Sequence, residues 1–454
     1  MERSGLVLFN QGVPSEEEIE PVQPKIVLAA GLRLPQAKAG GAYMGEDAAH
    51  LGTAVCRELF ARTGLDPAAF DEVVCGSVGP PHDQANVGRV IALRAGVPRA
   101  TPAYTVGRNC ASGMQAVTSA IAEIRSGRGD LYLAVGVEHM SGYPLLYNDA
   151  AKGFFADLAG ARGLGARLKA LMGWRPSMLA PRIALMEGLT DPVSDMIMGS
   201  TAELLARDWD ISREEADLYA AESHNRAQAA RDAGRMDREL MPYFPLGAKS
   251  KQKALTADDG IRDGQNPAAL ARLKPYFEKP DGIVTVGNAC GITDGAVALV
   301  VATEERALAE GLTPLATLRA YDWAGCDPAR MGLGPVFATA KVLEQSGVEL
   351  DDIGVIELNE AFAAQVIACR KAAASQRFAE ERLGRSKPLG ELHPKRLNPN
   401  GGAIAIGHPV GATAARLILT CAHELEIGDH ELGLATLCIG GGQGGAMLLE
   451  RYAR

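Results

Sequence analysis

Residues 103–137, AYTVGRNCASGMQAVTSAIAEIRSGRGDLYLAVGV, read as one strand–turn–helix–strand unit. The apolar run at 103–106 breaks at the turn Gly107-Arg108-Asn109-Cys110. A helix follows in which Met114, Val117, Ile121 and Ile124 recur on one face. The run LYLAVGV at 131–137 has no polar alternation, the pattern of a strand covered on both faces. Such a strand needs helices on both sides, so the chain reads as an α/β protein. Cys110 falls at the mouth of the helix that starts near Ala111. There the unpaired N–H groups of the first turn and the positive end of the helix dipole favour a thiolate. Ser112 and Gly113 beside it are small and leave room for a substrate.

The same pattern recurs near the other end of the chain. An apolar run at 353–358 leads into Asn359-Glu360-Ala361-Phe362. A glycine turn, Gly401-Gly402 and then Gly407-His408-Pro409, opens a helix carrying Leu417, Ile418, Cys421 and Leu425. The run at 432–438 ends in Gly440-Gly441-Gly442. Each end sets a cysteine beside glycines, which predicts a duplicated α/β core. Upstream, 25–30 reads as a strand, 44–63 as a helix and 72–75 as a buried strand. From 143 to 282 the pattern loosens into helical pieces (200–208, 213–233), prolines and few strand runs. Strand character returns at 283–286 and 297–302. The predicted organisation is a Pro- and Glu-rich extension over 1–24 and a first core domain over 25–142 and 283–303. An inserted loop domain covers 143–282, and a second core domain covers 304–454.

The chain has 454 residues, 47% hydrophobic and 22% charged, which suits a large core and excludes disorder. Its 46 basic and 55 acidic residues give a formal charge of −9, which argues against general nucleic-acid binding. No apolar run reaches the roughly 18 residues of a membrane span. The start, MERSGLVLFNQGVPSEEEIE, turns acidic too early for a secretory signal or transit peptide. Eight scattered cysteines without C-x-x-C spacing are cytosolic thiol usage, with neither a disulfide framework nor a zinc site. A cytoplasmic, bacterial-type location is the expectation.

Further groups stand at glycine-rich strand or helix ends, where α/β enzymes place their chemistry. His408 at a loop tip suits a base that accepts a thiol proton. Cys438, just before three glycines, predicts an exposed sulfur among clustered backbone N–H groups, the makings of an oxyanion hole. Asn359 ends a strand. Each has an ordinary structural alternative: a buried small hydrophobe for the cysteines, a capping histidine and a helix N-cap.

Together these residues make the chain resemble the thiolases. The resemblance rests on Asn109-Cys110-Ala111-Ser112-Gly113, on Gly287-Asn288-Ala289 with Asp294-Gly295-Ala296, and on Met331-Gly332-Leu333-Gly334-Pro335. It continues in Asn359-Glu360-Ala361-Phe362, in Asn400 through Pro409, and in Cys438-Ile439-Gly440-Gly441-Gly442. It implies a thiolase fold of duplicated βαβαβαββ domains in five α-β-α-β-α layers. Implied too are Cys110 as the acylated nucleophile, His408 as its base and Cys438 as a second acid/base. Asn359 would hold a water that forms one oxyanion hole with His408; the N–H groups of Cys110 and Gly440 would form the other. Arg262, Cys290 and Met198 are the implied contacts to coenzyme A, a cosubstrate rather than a permanent cofactor, with Arg262 on the adenine. Acyl-CoA is the implied partner molecule and a homodimer or homotetramer the implied assembly.

Two departures bear on function. Asn288-Ala289-Cys290-Gly291 carries cysteine where the family has a serine on the pantetheine arm. Ile197 stands where short-chain biosynthetic members carry a histidine before the methionine. Extra stretches at 151–190 and 373–395 look like those of the β subunits of fatty-acid oxidation complexes. The expected activity is therefore degradative cleavage of 3-ketoacyl-CoA, with acetoacetyl-CoA formation and a lipid carrier as alternatives. Residues 151–182 hold six basic side chains (Lys152, Arg162, Arg167, Lys169, Arg175, Arg182) against Asp157. Leu164, Leu168 and Leu171 share one helical face, the composition of an interfacial helix. This segment is expected to dock on a membrane surface or on a hydratase/dehydrogenase partner; the alternative is packing on the protein's own core.

Overall fold

A computed structural model describes residues 23–246 and 254–453; most of the expected extension at 1–24 lies outside them. The first half contributes β1 (Ile26–Arg33), α1 (Ala48–Thr63), β2 (Glu72–Gly76), α2 (Val87–Ala95), β3 (Ala103–Val106), α3 (Ser112–Arg125) and β4 (Leu131–His139). Next come α4 (Asp149–Gly160), α5 (Leu164–Leu171), α6 (Met198–Asp208) and α7 (Arg213–Asp232). The rest is β5 (Thr293–Thr303), β6 (Ala316–Gly325), α8 (Gly334–Ser346), β7 (Val355–Leu358), α9 (Ala363–Ala373), α10 (Val410–Ile427), β8 (Leu432–Ile439) and β9 (Gln443–Arg451).

The strands line up as β7-β8-β9-β6-β1-β5-β4-β2-β3, with the two-residue strand Ala37–Lys38 on β5. The duplication is visible in the pairing. β2 runs parallel to β4 as β7 does to β8, and β4 is antiparallel to β5 as β8 is to β9. β5 then pairs antiparallel with β1 as β9 does with β6. Beyond β7, the place that β3 takes beside β2 is held by a single parallel bridge from Ile356 to Leu397. The two halves meet where β1 pairs with β6, through Val27 with Thr317 and Leu28 with Ala316. Lys25, before β1, stacks its ammonium 4.9 Å from the ring of Tyr452, after β9.

Three apolar clusters account for the layers. α1 and α2 pack on the outer face of the first half, and α8 and α9 on that of the second. Between the halves lie α3 and α10, which meet inward strand residues of both, among them Leu28, Tyr132, Ala435 and Met447. These are the five layers expected. The two central helices cross at very short range: a Cβ on Gly113 would lie 2.9 Å from Ala415 N and from Gly411 O. A Cβ on Gly411 would lie 2.5 Å from Val137 O. Only hydrogen fits at either position.

The expected strand at 283–286 does not form. The buried Glu203 carboxylate accepts the N–H groups of Ile283 and Val284, each at 2.9 Å, and these groups are spent on α6 instead of a neighbouring strand. Two more buried clamps hold the middle of the chain to the core. Arg33, on β1 and fully buried, donates to Glu239 at 2.8 Å and to both oxygens of Asp258 at 2.8 and 3.0 Å. Glu360 accepts from Tyr219 at 2.8 Å and Ser223 at 2.6 Å, both on α7, and from Asn398 at 2.9 Å. Breaking the buried Arg33 pair by removing one partner costs about 3–5 kcal/mol, while the Glu360 bonds to Tyr219 and Ser223 fix α7 over the second half.

The segment around α4 and α5 has no such anchorage. α4 buries only Ala151 and α5 buries nothing. Leu164, Leu168 and Leu171 are 76%, 54% and 50% exposed, so that face does not pack on the core of the described residues.

The helix crossing sets a testable limit. Gly113→Val, whose Cβ would meet the α10 backbone, should lower the unfolding free energy by about 3 kcal/mol, since an overpacked core must shift backbone. Gly165→Ala, with open space around its Cβ, should not lower it. Urea denaturation of both variants checks this; equal midpoints would show the crossing is loose.

Candidate active site

Cys110, His408, Cys438 and Cys290 line one cavity of about 350 Å³, whose remaining walls are largely apolar, with Met198, Phe277, Met331 and Phe362 among them. Cys110 and His408 precede the two crossing helices. Neither helix is capped by a side chain at its N-cap residue, Ala111 or Pro409. α7, by contrast, closes its start with a Ser212–Glu215 capping box. The open N-termini of α3 and α10 thus leave backbone donors near the cavity.

The turn before α3 is locked from within. Asn109 takes a left-handed backbone (φ 44°), and Ser112 Oγ accepts from Arg108 N at 2.9 Å while donating to Asn109 O at 2.7 Å. Asn109 Nδ2 donates to Gly440 O at 2.8 Å, tying the nucleophile turn to the glycine loop after β8. The backbone N–H groups of Gly440 and of Cys110 itself point to the Cys110 sulfur. Even so, burial outweighs them and pushes the thiol up. The expected helix-mouth thiolate is corrected: in this site Cys110 is a neutral thiol.

His408 is set in one tautomer. Its Nδ1 lies 2.7 Å from Thr413 Oγ1, whose own hydrogen goes to Pro409 O at 3.0 Å. Nδ1–H must therefore be the donor, which leaves Nε2 as the acceptor. Asn359 Nδ2 lies 3.4 Å from that Nε2, and Asn359 Oδ1, fully buried, has no partner among the described residues. Burial, and then the Arg416 cation, push the imidazole down to about 3. Arg416 is paired with Glu357 at 2.9 Å, a carboxyl that burial pushes up to about 8. His408 is thus neutral at ordinary pH and able to accept a proton.

Cys438 is the second correction. It lies inside β8, one residue from its end, and is 2% exposed, so its sulfur meets the cavity but not solvent at large. It pairs opposite Gly444 on β9, so the sulfur lies within the sheet, ahead of the glycine turn. Burial pushes this thiol well up, as do, to a lesser degree, the neighbouring Cys110, Cys369 and Cys290. Cys290 is held by its N–H to Ala361 O at 3.0 Å, and burial pushes its thiol up to about 12. Met198 opens α6 and lines the cavity. Arg262 does not: it is exposed, with its backbone N–H donating to His224 Nδ1 at 3.2 Å.

A second cavity of about 270 Å³ also reaches Cys110. It shares Met140, Leu189, Met198 and Val410 with the first and extends under 185–193. Nothing in the sequence signals it, because its walls come from six separate stretches, from Val78 to Gly441. Sequence reasoning also misses the roles of Asn109 and Thr413, although an Asn before the cysteine and a Thr one turn after the histidine are visible there.

Comparison with known proteins is consistent along the whole chain. The family models for the thiolase N-terminal and C-terminal domains match residues 26–305 and 312–451. A Staphylococcus aureus protein described as a probable acetyl-CoA acyltransferase is 38% identical over 428 residues, covering 94% of this chain and 99% of that one. The Bacillus anthracis acetyl-CoA acetyltransferase structure superposes with a TM-score of 0.82 at 35% identity, covering 95% of this chain and 99% of that one. Human mitochondrial 3-ketoacyl-CoA thiolase in complex with CoA gives 0.80 at 32% identity, with 95% and 99% covered.

Charge state gives the prediction here. A thiol pushed above its usual value has less thiolate than free cysteine at any given pH, and a histidine near 3 stays neutral above it. Alkylation of Cys110 by iodoacetamide should therefore climb through the alkaline range, with its inflection above that of free cysteine. An inflection below pH ~7 would show a preformed thiolate–imidazolium pair instead.

Proposed function

The chain belongs to the thiolase family and is an acyltransferase, and from that premise we propose that it cleaves 3-ketoacyl-CoA with coenzyme A in the degradative direction. The observation that carries the chemistry is that Cys110, His408 with its unprotonated Nε2, and Cys438 line one cavity. Ile197 in place of a histidine, on the cavity wall, supports the degradative reading over acetoacetyl-CoA formation.

His408 Nε2 takes the Cys110 proton as the sulfur attacks C3, the ketone carbon. The S–C3 bond forms, the C2–C3 bond breaks, and the electron pair passes to C2 as an enolate of the thioester. The new Nε2–H donates to the enolate oxygen together with the group held by Asn359, and Cys438 delivers a proton to C2, releasing acetyl-CoA. The carbonyl of the acyl-Cys110 lies on the N–H groups of Cys110 and Gly440. Coenzyme A then attacks that carbonyl; its thiol proton restores Cys438, and His408 returns a proton to the departing Cys110. A neutral thiol and a neutral imidazole suit this sequence, because charge appears only as the oxyanions form.

Coenzyme A is proposed to lie against the 143–282 domain, with Met198 and Cys290 on the pantetheine arm and Arg262 stacked on the adenine. The place of β3 at the edge of the sheet supports a homodimer through that edge. The 145–183 surface supports docking on an anionic membrane as a further part of the reading. Leu164, Met172 and Leu179 are 76%, 80% and 72% exposed, and Arg162, Arg167, Lys169 and Arg175 have no ion-pair partner among the described residues.

Two outcomes are expected. Cys438→Ser should slow acetoacetyl-CoA cleavage by about 10²–10⁴-fold, yet still let acetyl-CoA label Cys110, since a thiolate leaves unaided and a carbanion does not. Peptide mapping of the label reads this, and equal loss of both half-reactions would make Cys438 structural. The protein should also sediment with phosphatidylserine vesicles at low salt and be released as salt rises. No sedimentation at low salt would refute membrane docking.

A further inference from the structure

Two N–H groups from opposite halves of the chain face the Cys110 sulfur, its own and that of Gly440. The Cys110 N–H belongs to the turn that Ser112 locks ahead of α3. The Gly440 N–H belongs to the turn Gly440-Gly441-Gly442, which joins β8 to β9 where Ile439 pairs with Gln443. That turn has no side chains, and Gly441 and Gly442 take left-handed backbones (φ 88° and 78°). Glycine leaves a turn the widest choice of conformations, so this one is fixed least by its own residues.

The nucleophile turn supplies what the glycines lack. At the near end of the glycine turn, Asn109 Nδ2 donates to Gly440 O at 2.8 Å. At the far end, Arg108 Nη1 donates to Gln443 Oε1 at 3.2 Å. The Arg108 guanidinium also lies 4.2 Å from the ring of Trp323, whose backbone pairs with Gly445 on β9. Its Nε is held in turn by Gln115 of α3 at 2.6 Å. Two adjacent residues thus grip both ends of the glycine turn from the side of the nucleophile. Asparagine is also among the few side chains at ease in the left-handed backbone of this position, φ 44°.

We infer that Asn109 is a positioning residue for the oxyanion hole of the acyl-Cys110 carbonyl: its amide holds the Gly440 N–H in place beside the Cys110 N–H. The inference rests on the thiolytic reading above. When Cys110 attacks acetyl-CoA, the S–C bond forms and the carbonyl oxygen takes negative charge between those two N–H groups. The C=O bond then re-forms, and the coenzyme A thiolate leaves and takes its proton from Cys438. Alkylation of the same sulfur by iodoacetamide displaces iodide at a saturated carbon and builds no oxyanion. Both reactions draw on the thiolate, so the ratio of their rates at one pH cancels any change in Cys110 ionisation.

The test measures that ratio, by mass spectrometry of the Cys110 peptide, in the wild-type chain and in Asn109→Gly and Asn109→Asp. The glycine variant keeps the left-handed turn and removes the donor; the aspartate variant keeps the shape and turns an acceptor toward Gly440 O. The Asn109 bond is open to solvent at the rim of the second cavity, and a bond in water contributes modestly. Outright loss of an oxyanion-hole donor costs about 10²–10³-fold, so a displaced one should lower the acylation-to-alkylation ratio by about tenfold in both variants. Asn109→Asp keeps the test open if Asn109→Gly misfolds. An unchanged ratio in the folded variants overturns the inference. So does an equal loss of both reactions, which would confine Asn109 to shaping the nucleophile turn. A wild-type chain whose Cys110 is not labelled by acetyl-CoA overturns the thiolytic reading, and the inference with it.

Discussion

The close crossing of α3 and α10 between the two halves of the sheet is the constraint on which the site depends. Because Gly113 carries only hydrogen, α3 approaches the backbone of α10 at Gly411 and Ala415 until backbone atoms touch, and Gly411 lets α10 press on β4 in the same way. Cys110 and His408 sit just ahead of the two helices, so the crossing fixes both at once. Neither residue lies on a loop free to adjust. The pair is as rigid as the middle layer of the fold, which is what preorganised acid–base chemistry requires.

Depth in that layer also sets the charges. Burial disfavours every ionised form, so the thiols of Cys110 and Cys438 rise and His408 falls to about 3. Helix ends and oriented N–H groups favour the thiolate but do not overcome this burial. Arg416, buried on α10 and paired with Glu357, adds a cation that keeps His408 neutral. The consequence is a site that holds its protons until substrate carbonyls supply oxygens on which negative charge can rest.

Much of this was legible in the sequence, where the signal was local. The turn at 107–110, the glycine-flanked His408 and the apolar runs at 131–137 and 432–438 each state their own structure, and the duplication follows from their repetition. What failed was governed by distant partners. Residues 283–286 look like a strand until Glu203 claims their N–H groups. The Cys438 sulfur looks exposed until β9 pairs alongside it through Gly444. The leucines of α5 are a different case: their spacing suits an interfacial or a core-facing helix alike, and their exposure is what separates the two.

The contact between Lys25 and Tyr452 has its own consequence. It sets the start of β1 beside the end of β9, next to the line where the two halves join through β1 and β6. A short peptide joining 25 to 452, with the chain reopened between α4 and α5, would leave each sheet strand its present neighbours. The order in which the two halves are synthesised is thus separable from the architecture they build. A circular permutant of this kind would still bring Cys110 and His408 together, because their meeting is decided by packing across the middle layer rather than by sequence order.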